Sequence, residues 1–262
     1  MTSSICDKRD KLKLVLIDVG NTSTHFTFYA GGRFVRSARV PTAALSGRTL
    51  RGLKIPFKEA RAAIVASVVP FAGTILKKKL QVLFGLKTTL IGPGFAVPIV
   101  NRYKKPRQVG TDRLVNAAAA YQKFKKELII VDFGTAITFD VVSRKGEYLG
   151  GVIAPGIEIT LDALFQKTAL LPKARLKHPK VVVGRDTVES IRIGCSYGIG
   201  GLCDRMIDLI AKKQGLKPVV LATGGYASFM TRYCRRLNRI DGDLTMKGIL
   251  LTYKYHHSAD RT

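Results

Sequence analysis

Two short segments of this 262-residue chain bring a carboxylate, a glycine and a hydroxyl together just after an apolar run. Asp18-Val19-Gly20-Asn21-Thr22 follows Leu14 to Ile17, and Asp132-Phe133-Gly134-Thr135 follows Leu128 to Val131. These residue types suit phosphate handling. Glycine lets backbone amides approach an anion closely, a threonine hydroxyl donates to phosphate oxygen, and a carboxylate at a strand end holds Mg²⁺ directly or through water. One such segment alone reads equally as an ordinary turn, because Gly, Asn and Asp dominate turns for conformational reasons. Two copies in matching contexts, with Thr223-Gly224-Gly225 after the apolar run Val219 to Ala222, favour the phosphate reading.

The surrounding elements repeat too. After the first turn come the alternating segment Ser23 to Tyr29, Gly31-Gly32, and a short strand Arg33 to Arg36. After the second come Ile137 to Ser143, Arg144-Lys145-Gly146, and Tyr148 to Ile153, so each half opens as three strands. Ala60 to Ser67 is a further predicted strand, and Phe71 to Phe84 has helical spacing with a basic face before the Gly92-Pro93-Gly94 loop. Asn101 to Pro106 is irregular. Val109-Gly110-Thr111-Asp112-Arg113 then opens a helix whose interior, Leu114 to Phe124, is alanine-rich and apolar on one side. No Pro-, Gly- or Ser-rich linker separates the halves. The strand pattern restarts at Leu128, which divides the chain into 1–127, with the first phosphate-type turn and the Val109 to Arg113 segment, and 128–262, with the second such turn and Thr223-Gly224-Gly225. The layout resembles the actin-like ATPase superfamily, which implies an α/β fold of two ribonuclease-H-like domains, each a mixed sheet flanked by helices.

Composition agrees with a folded protein that can bury a real core: 46% of residues are apolar. Cys6, Cys195, Cys203 and Cys234 show no metal-finger or Cys-x-x-Cys spacing and read as buried reduced thiols, consistent with a cytoplasmic setting. Met1 to Lys13 has no apolar signal core, and no stretch approaches the roughly 20 apolar residues that span a bilayer. The formal charge of +26 comes from dispersed pairs and triplets, including Lys77 to Lys79, Lys104-Lys105, Lys125-Lys126, Lys212-Lys213 and Arg235-Arg236. That dispersion reads as a solvated surface. No nucleic-acid-binding motif accompanies it, so weak and nonspecific association is the most it supports.

The full set of motifs resembles the type III pantothenate kinases from about Leu14 to Leu251. It comprises the Asp18 segment, Gly110-x-Asp112-Arg113 with its upstream Tyr103, and Asp132-x-Gly134-Thr135-Ala136-x-Thr138. Leu149-Gly150-Gly151-x-Ile153-x-Pro155-Gly156, Thr223-Gly224-Gly225, and Asp243-Leu244-Thr245-Met246-Lys247-Gly248 complete it. The resemblance implies ATP-dependent phosphorylation of pantothenate to 4′-phosphopantothenate, the first step of coenzyme A synthesis. It implies that Asp18, Val19, Gly20, Asn21, Thr22, Ser23, Thr24 and His25 form the first phosphate loop, with Asp18 holding Mg²⁺ through water. Asp112 is the implied base, and Tyr103, Gly110, Thr111, Asp112, Arg113 and Thr187 the implied pantothenate contacts. Thr135, Thr223, Gly224 and Gly225 are the implied ATP contacts, and Asp132 the implied ligand of a monovalent cation, K⁺ or NH₄⁺. A cytoplasmic homodimer is implied as well, with Thr187 serving the neighbour's Asp112.

Each residue also has a plainer reading. Asp112 lies in the first turn of a helix, where the macrodipole favours a carboxylate by about 0.3–1 kcal/mol whatever its function. Asp186-x-x-Glu189 reads as a capping box beside Thr187, for a helix beginning near Val188. Arg113 is equally a surface charge, Tyr103 a packing residue and His25 an ordinary strand residue. For the whole chain the alternatives are a catalytically weak regulatory or accessory protein on the same fold, including one that binds nucleic acid, and a kinase of another small alcohol. Retention of both Asp18 and Asp112 favours the enzyme.

Overall fold

The computed structural model describes residues 12–258. The expectations for Cys6 and for the polar residues preceding position 12 lie outside that range.

The chain begins with β1 (Lys13–Val19), β2 (Ser23–Ala30) and β3 (Arg33–Pro41), a meander of antiparallel neighbours. A short α1 (Gly47–Gly52) leads to β4 (Ala62–Ser67), which pairs parallel with β1. α2 (Pro70–Phe84) and β5 (Thr88–Leu90) complete a five-stranded sheet of order β3-β2-β1-β4-β5. Proline at the first helical position starts α2, and Gly85 ends it in the left-handed conformation, φ 64°.

From Leu14 to Ile17 β1 is apolar at every position because both of its faces are covered. Val15, Ile17 and Val19 pack with Leu50, Phe57, Leu76 and Leu80 on one side, and Leu14 and Leu16 pack on the other with Val115, Met246, Ile249 and Tyr253. Burying a side chain of this kind contributes about 1.5–3 kcal/mol. β3 runs five residues beyond the predicted Arg33 to Arg36. It is an edge strand with mostly exposed side chains, so no apolar period marks its extent.

β6 (Val100–Asn101) and α3 (Thr111–Phe124) precede a second meander, β7 (Leu128–Phe133), β8 (Ala136–Val142) and β9 (Glu147–Pro155). α4 (Ile157–Lys167), α5 (Thr187–Ile193) and α6 (Ile199–Gln214) follow, the last two joined by a π-helical turn over Gly194–Gly198. β10 (Val219–Thr223) pairs parallel with β7 and gives the order β10-β7-β8-β9-β6. The duplication seen in the sequence is therefore topological: each sheet is an antiparallel meander with a parallel strand beside its first member. The core of the second sheet joins Ile129, Val131, Phe133, Ile137 and Phe139 to Leu161, Ile207 and Met230. Cys195, Cys203 and Cys234 are free and buried in it. α7 (Ala227–Met230) and α8 (Leu244–Ser258) close the chain, and none of the described helices is long and apolar enough to cross a membrane.

Two compact units result. Residues 12–98, 107–115 and 245–258 form the first, and residues 99–106 and 116–244 the second. The division is discontinuous, unlike the single cut between 127 and 128 read from the strand pattern: α8 returns to the first unit, where Met246, Ile249 and Tyr253 complete the core beneath β1.

Candidate functional site

In the first unit Asp18 occupies the penultimate position of β1. The register sets Asp18 opposite His25, and His25 opposite Arg39, so these three side chains form a row across β1, β2 and β3. The row shares a face with Leu14 and Leu16, the face covered by Val115 of α3. The turn beyond Asp18 is held from β3 and the residue after it. Gly20 N–H donates to Ser23 O at 3.1 Å, Thr42 N–H donates to Thr22 O at 3.0 Å, and Thr42 Oγ1 donates to Gly20 O at 2.7 Å. Thr24 Oγ1 lies 3.0 Å from Thr42 Oγ1, and Val19 and Thr24 are buried, so both brace the turn from inside. Asn21 and Thr22 are exposed at its tip.

Asp112 belongs to the first turn of α3, which Thr111 Oγ1 fastens to the end of β4 by donating to Ser67 O at 3.1 Å. Arg113 N–H donates to Asp112 Oδ1 at 2.8 Å, and the Arg113 side chain is buried. Gly110 is required sterically: a Cβ there would overlap Asp112 Oδ1 and come within 3.2 Å of Val68 Cγ1. Burial pushes the Asp18 carboxyl up to about 7, the like charge of Asp112 adds to the rise, and Arg39 opposes it. Burial also raises Asp112, against the stabilising contacts of Arg113. Two mutually repelling carboxylates with desolvated charge are a donor set that a divalent cation suits.

In the second unit Asp132 is the penultimate residue of β7, beside Thr138 of β8 and Thr223 of β10. Asn116, buried in α3, donates from Nδ2 to Asp132 Oδ2 at 3.1 Å. Gly224 has φ 91°, and a Cβ there would overlap Asp132 Oδ1. Gly156, the N-cap of α4, sits so close to the Thr135 carbonyl that no side chain fits. Tyr226 clamps the Thr-Gly-Gly turn from the other side: its hydroxyl donates to Glu158 in the first turn of α4, and burial together with that acceptor pushes the phenol up to about 12.

Tyr103 and Thr187 have separate surroundings within this unit. Tyr103 N–H donates to Asn101 Oδ1 at 3.0 Å, and its ring lies against Gly150 and 6.5 Å from the Tyr148 centroid. Thr187 opens α5 and lines an apolar groove of about 380 Å³ with Leu164, Leu171, Ile191 and Leu202. Asp186 caps α5 by accepting from Glu189 N–H at 2.8 Å, while Glu189 accepts from Arg185 N–H at 3.1 Å, so the expected box closes one residue early.

The structure thus brings Asp18, His25, Gly110, Thr111 and Asp112 into one constellation, and Asp132, Thr135, Thr223 and Gly224 into another. Sequence reading gave no individual role to Asn116, Gly156 or Tyr226. Asn116 left one signal, a polar side chain within an alanine-rich apolar run one turn after Asp112. Gly156 and Tyr226 left none beyond their motifs, because their contacts are set by tertiary approach.

A family model described as type III pantothenate kinase matches residues 14–209. The type III pantothenate kinase of Geobacter sulfurreducens is 39% identical over 250 residues, covering 92% of this chain and 98% of that protein. The type III pantothenate kinase of Syntrophus aciditrophicus matches to the same extent, 39% over 250 residues with 92% and 98% coverage. Among solved structures, a Baf family transcriptional activator of Campylobacter jejuni superposes with a TM-score of 0.61 at 19% identity, covering 93% of this chain and 99% of that one. Component A of (R)-2-hydroxyglutaryl-CoA dehydratase from Acidaminococcus fermentans does so with a TM-score of 0.55 at 13% identity, covering 95% and 99%. These two likenesses concern the fold, two mixed sheets flanked by helices.

Proposed function

The chain belongs to the type III pantothenate kinase family and is an ATP-dependent kinase of pantothenate in coenzyme A synthesis; we propose that Asp112 is its general base and Asp18 its Mg²⁺-bearing carboxylate. The observation that carries these roles is the pair itself: two half-buried carboxylates, with desolvation first and the like charge of Asp112 second raising Asp18 to about 7, at the helix start that Gly110 leaves open.

The reaction moves the γ-phosphoryl group of ATP to the primary hydroxyl of pantothenate, releasing ADP and a proton. Phosphoryl transfer has a loose transition state in most analyses, so positioning and charge stabilisation outweigh base strength. Asp112 accepts the hydroxyl proton on a carboxylate oxygen. Burial makes it a stronger base than an exposed aspartate, and such assistance typically supplies about 10²–10⁴ in rate, roughly 3–5 kcal/mol. Mg²⁺ at Asp18 supplies neutralisation of phosphate charge. The turn after Asp18, closed by its own Gly20 bond and exposing Asn21 and Thr22, is the segment we assign to phosphate oxygen. For pantothenate we assign Tyr103, Gly110, Thr111, Arg113 and Thr187, with Arg113 for the carboxylate. For ATP we assign Thr135, Thr223, Gly224 and Gly225 together with the first-loop residues, Asp18 through His25. Asp132, oriented by Asn116, is the candidate ligand of K⁺ or NH₄⁺. The working form in this reading is a cytoplasmic homodimer.

The test is ADP release by purified protein offered pantothenate or other small alcohols, with and without K⁺, beside Asp112→Asn. Pantothenate-dependent release that falls by about 10²–10⁴ in a folded Asp112→Asn variant supports the assignment. Unchanged turnover in that variant rejects Asp112 as base, and faster release with another alcohol rejects the substrate.

A further inference from the structure

β3 is the edge strand of the first sheet and carries Arg33, Arg36 and Arg39. Cations on an exposed edge have a general role, discouraging pairing with another chain. Register separates the three. Arg33 is opposite Ala30 and Arg36 opposite Phe28, residues of the cluster on the face away from Asp18, and Arg36 Nη1 donates to Lys54 O at 3.5 Å. Arg39 is opposite His25, which is opposite Asp18, so its side chain leaves the sheet on the Asp18 face. Among the described residues the Arg39 side chain makes no hydrogen bond or ion pair, yet its charge reaches Asp18.

Two strand spacings, about 10 Å, separate the Arg39 and Asp18 backbones. The interval is too wide for a contact ion pair between them without a long reach, and it is partly filled by His25. A phosphate group bridges such a gap well. Its oxygens face a Mg²⁺-bearing carboxylate on one side and accept two parallel N–H bonds from a guanidinium on the other, a geometry that lysine cannot reproduce. The like charges of Asp18 and Asp112 make an additional cation useful at this spot, because the transferring group brings still more negative charge.

We propose that Arg39 is a catalytic residue that grips the terminal phosphate of ATP from β3, across the row formed by Asp18, His25 and Arg39. This rests on the kinase reading above. Arg39 thereby steadies the group being transferred, while Asp112 handles the attacking hydroxyl.

The decisive comparison is binding of Mg-ADP against a Mg-bound ATP analogue with an imido β–γ bridge, measured by calorimetry on wild type, Arg39→Gln, Arg39→Lys and Arg33→Gln, beside steady-state kinetics. Arg39→Gln should weaken the triphosphate analogue by about 10–100-fold, the size of a lost charged hydrogen bond, and leave ADP within about twofold. The kcat/KM for ATP should fall by a similar factor, Arg39→Lys should recover part of it, and Arg33→Gln should match wild type. Equal weakening of both nucleotides would indicate a disturbed sheet edge and overturn the assignment. So would unchanged triphosphate binding, or an effect confined to the KM for pantothenate. Arg39-dependent triphosphate binding in a wild type that does not phosphorylate pantothenate would sustain Arg39 and overturn the substrate reading instead.

Discussion

Asn116 Nδ2 donates to Asp132 Oδ2 at 3.1 Å from a position one helical turn after Asp112 on α3. The same helix therefore carries the candidate base and the group that orients the candidate cation ligand. Asn116 is 1% exposed, so this hydrogen bond is shielded from competing water and fixes the carboxylate plane.

Asn116→Ala should consequently act on the monovalent cation. Loss of a partner that orients a ligand typically costs about 10–100-fold in metal affinity. Titrating K⁺ against activity should show the half-saturating concentration rising by about that factor, with kcat at saturating K⁺ and the Mg²⁺ response close to wild type. Equal shifts in both ion titrations would mean general damage to α3 and remove the special role of Asn116.

How much of this was legible beforehand differs by residue. Asp18, Asp112 and Asp132 could be found because each ends or begins an element with a strong local signature, an apolar run or a helix start. Gly110 and Gly224 could be found as motif members, but the reason for them could not, since it is the approach of a particular carboxylate oxygen. Arg39 was invisible: on an exposed edge strand no apolar period reports register, and only the pairing of β3 with β2 reveals which arginine shares the Asp18 face. The return of α8 to the first unit was equally hidden, because a helix with apolar positions fits either core until long-range packing chooses.

The raised Asp18 carboxyl gives a pH dependence with a definite sign. Without divalent cation the folded chain holds that proton up to about pH 7, whereas the unfolded chain releases it near the ordinary value of 3.8. Between those values the native state binds more protons, so its stability falls as pH rises and levels off above about 7. Asp18→Asn cannot ionise and should lose this component. Thermal melts of both proteins from pH 5 to pH 8 without Mg²⁺ should therefore diverge, wild type weakening relative to the variant. Mg²⁺ favours the ionised form and should narrow the gap most at pH 8. Parallel melting curves across the range would show that Asp18 is not a perturbed acid.

Dimer-shared sites can be tested by complementation. If Thr187 serves the neighbour's Asp112, a mixed dimer of Asp112→Asn and Thr187→Ala subunits places both lesions in one site and leaves the other intact. Activity near half of wild type should then appear in the isolated heterodimer, about a quarter in an unfractionated equal mixture, although each parent is weak. No recovery in heterodimers verified by differential tagging would mean self-contained sites and would reassign the Thr187 groove.

The formal charge of +26 has a salt signature of its own. A dispersed cationic surface binds duplex DNA by releasing condensed counterions, so its affinity should drop steeply between about 50 and 200 mM salt and show little sequence preference. The assigned ATP contacts, if enclosed around nucleotide, would be screened less, because the relevant Debye length, about 8 Å at physiological ionic strength, applies to exposed charges. Anisotropy of labelled duplexes and kinase turnover, followed in one salt series at constant K⁺ with a non-activating cation as the variable, should separate the two. DNA binding should vanish while most turnover persists. Binding that survives physiological salt and prefers one sequence by more than about a thousandfold, the lower range for specific recognition, would reject the solvated-surface reading of the charge and favour a regulatory role for the same fold.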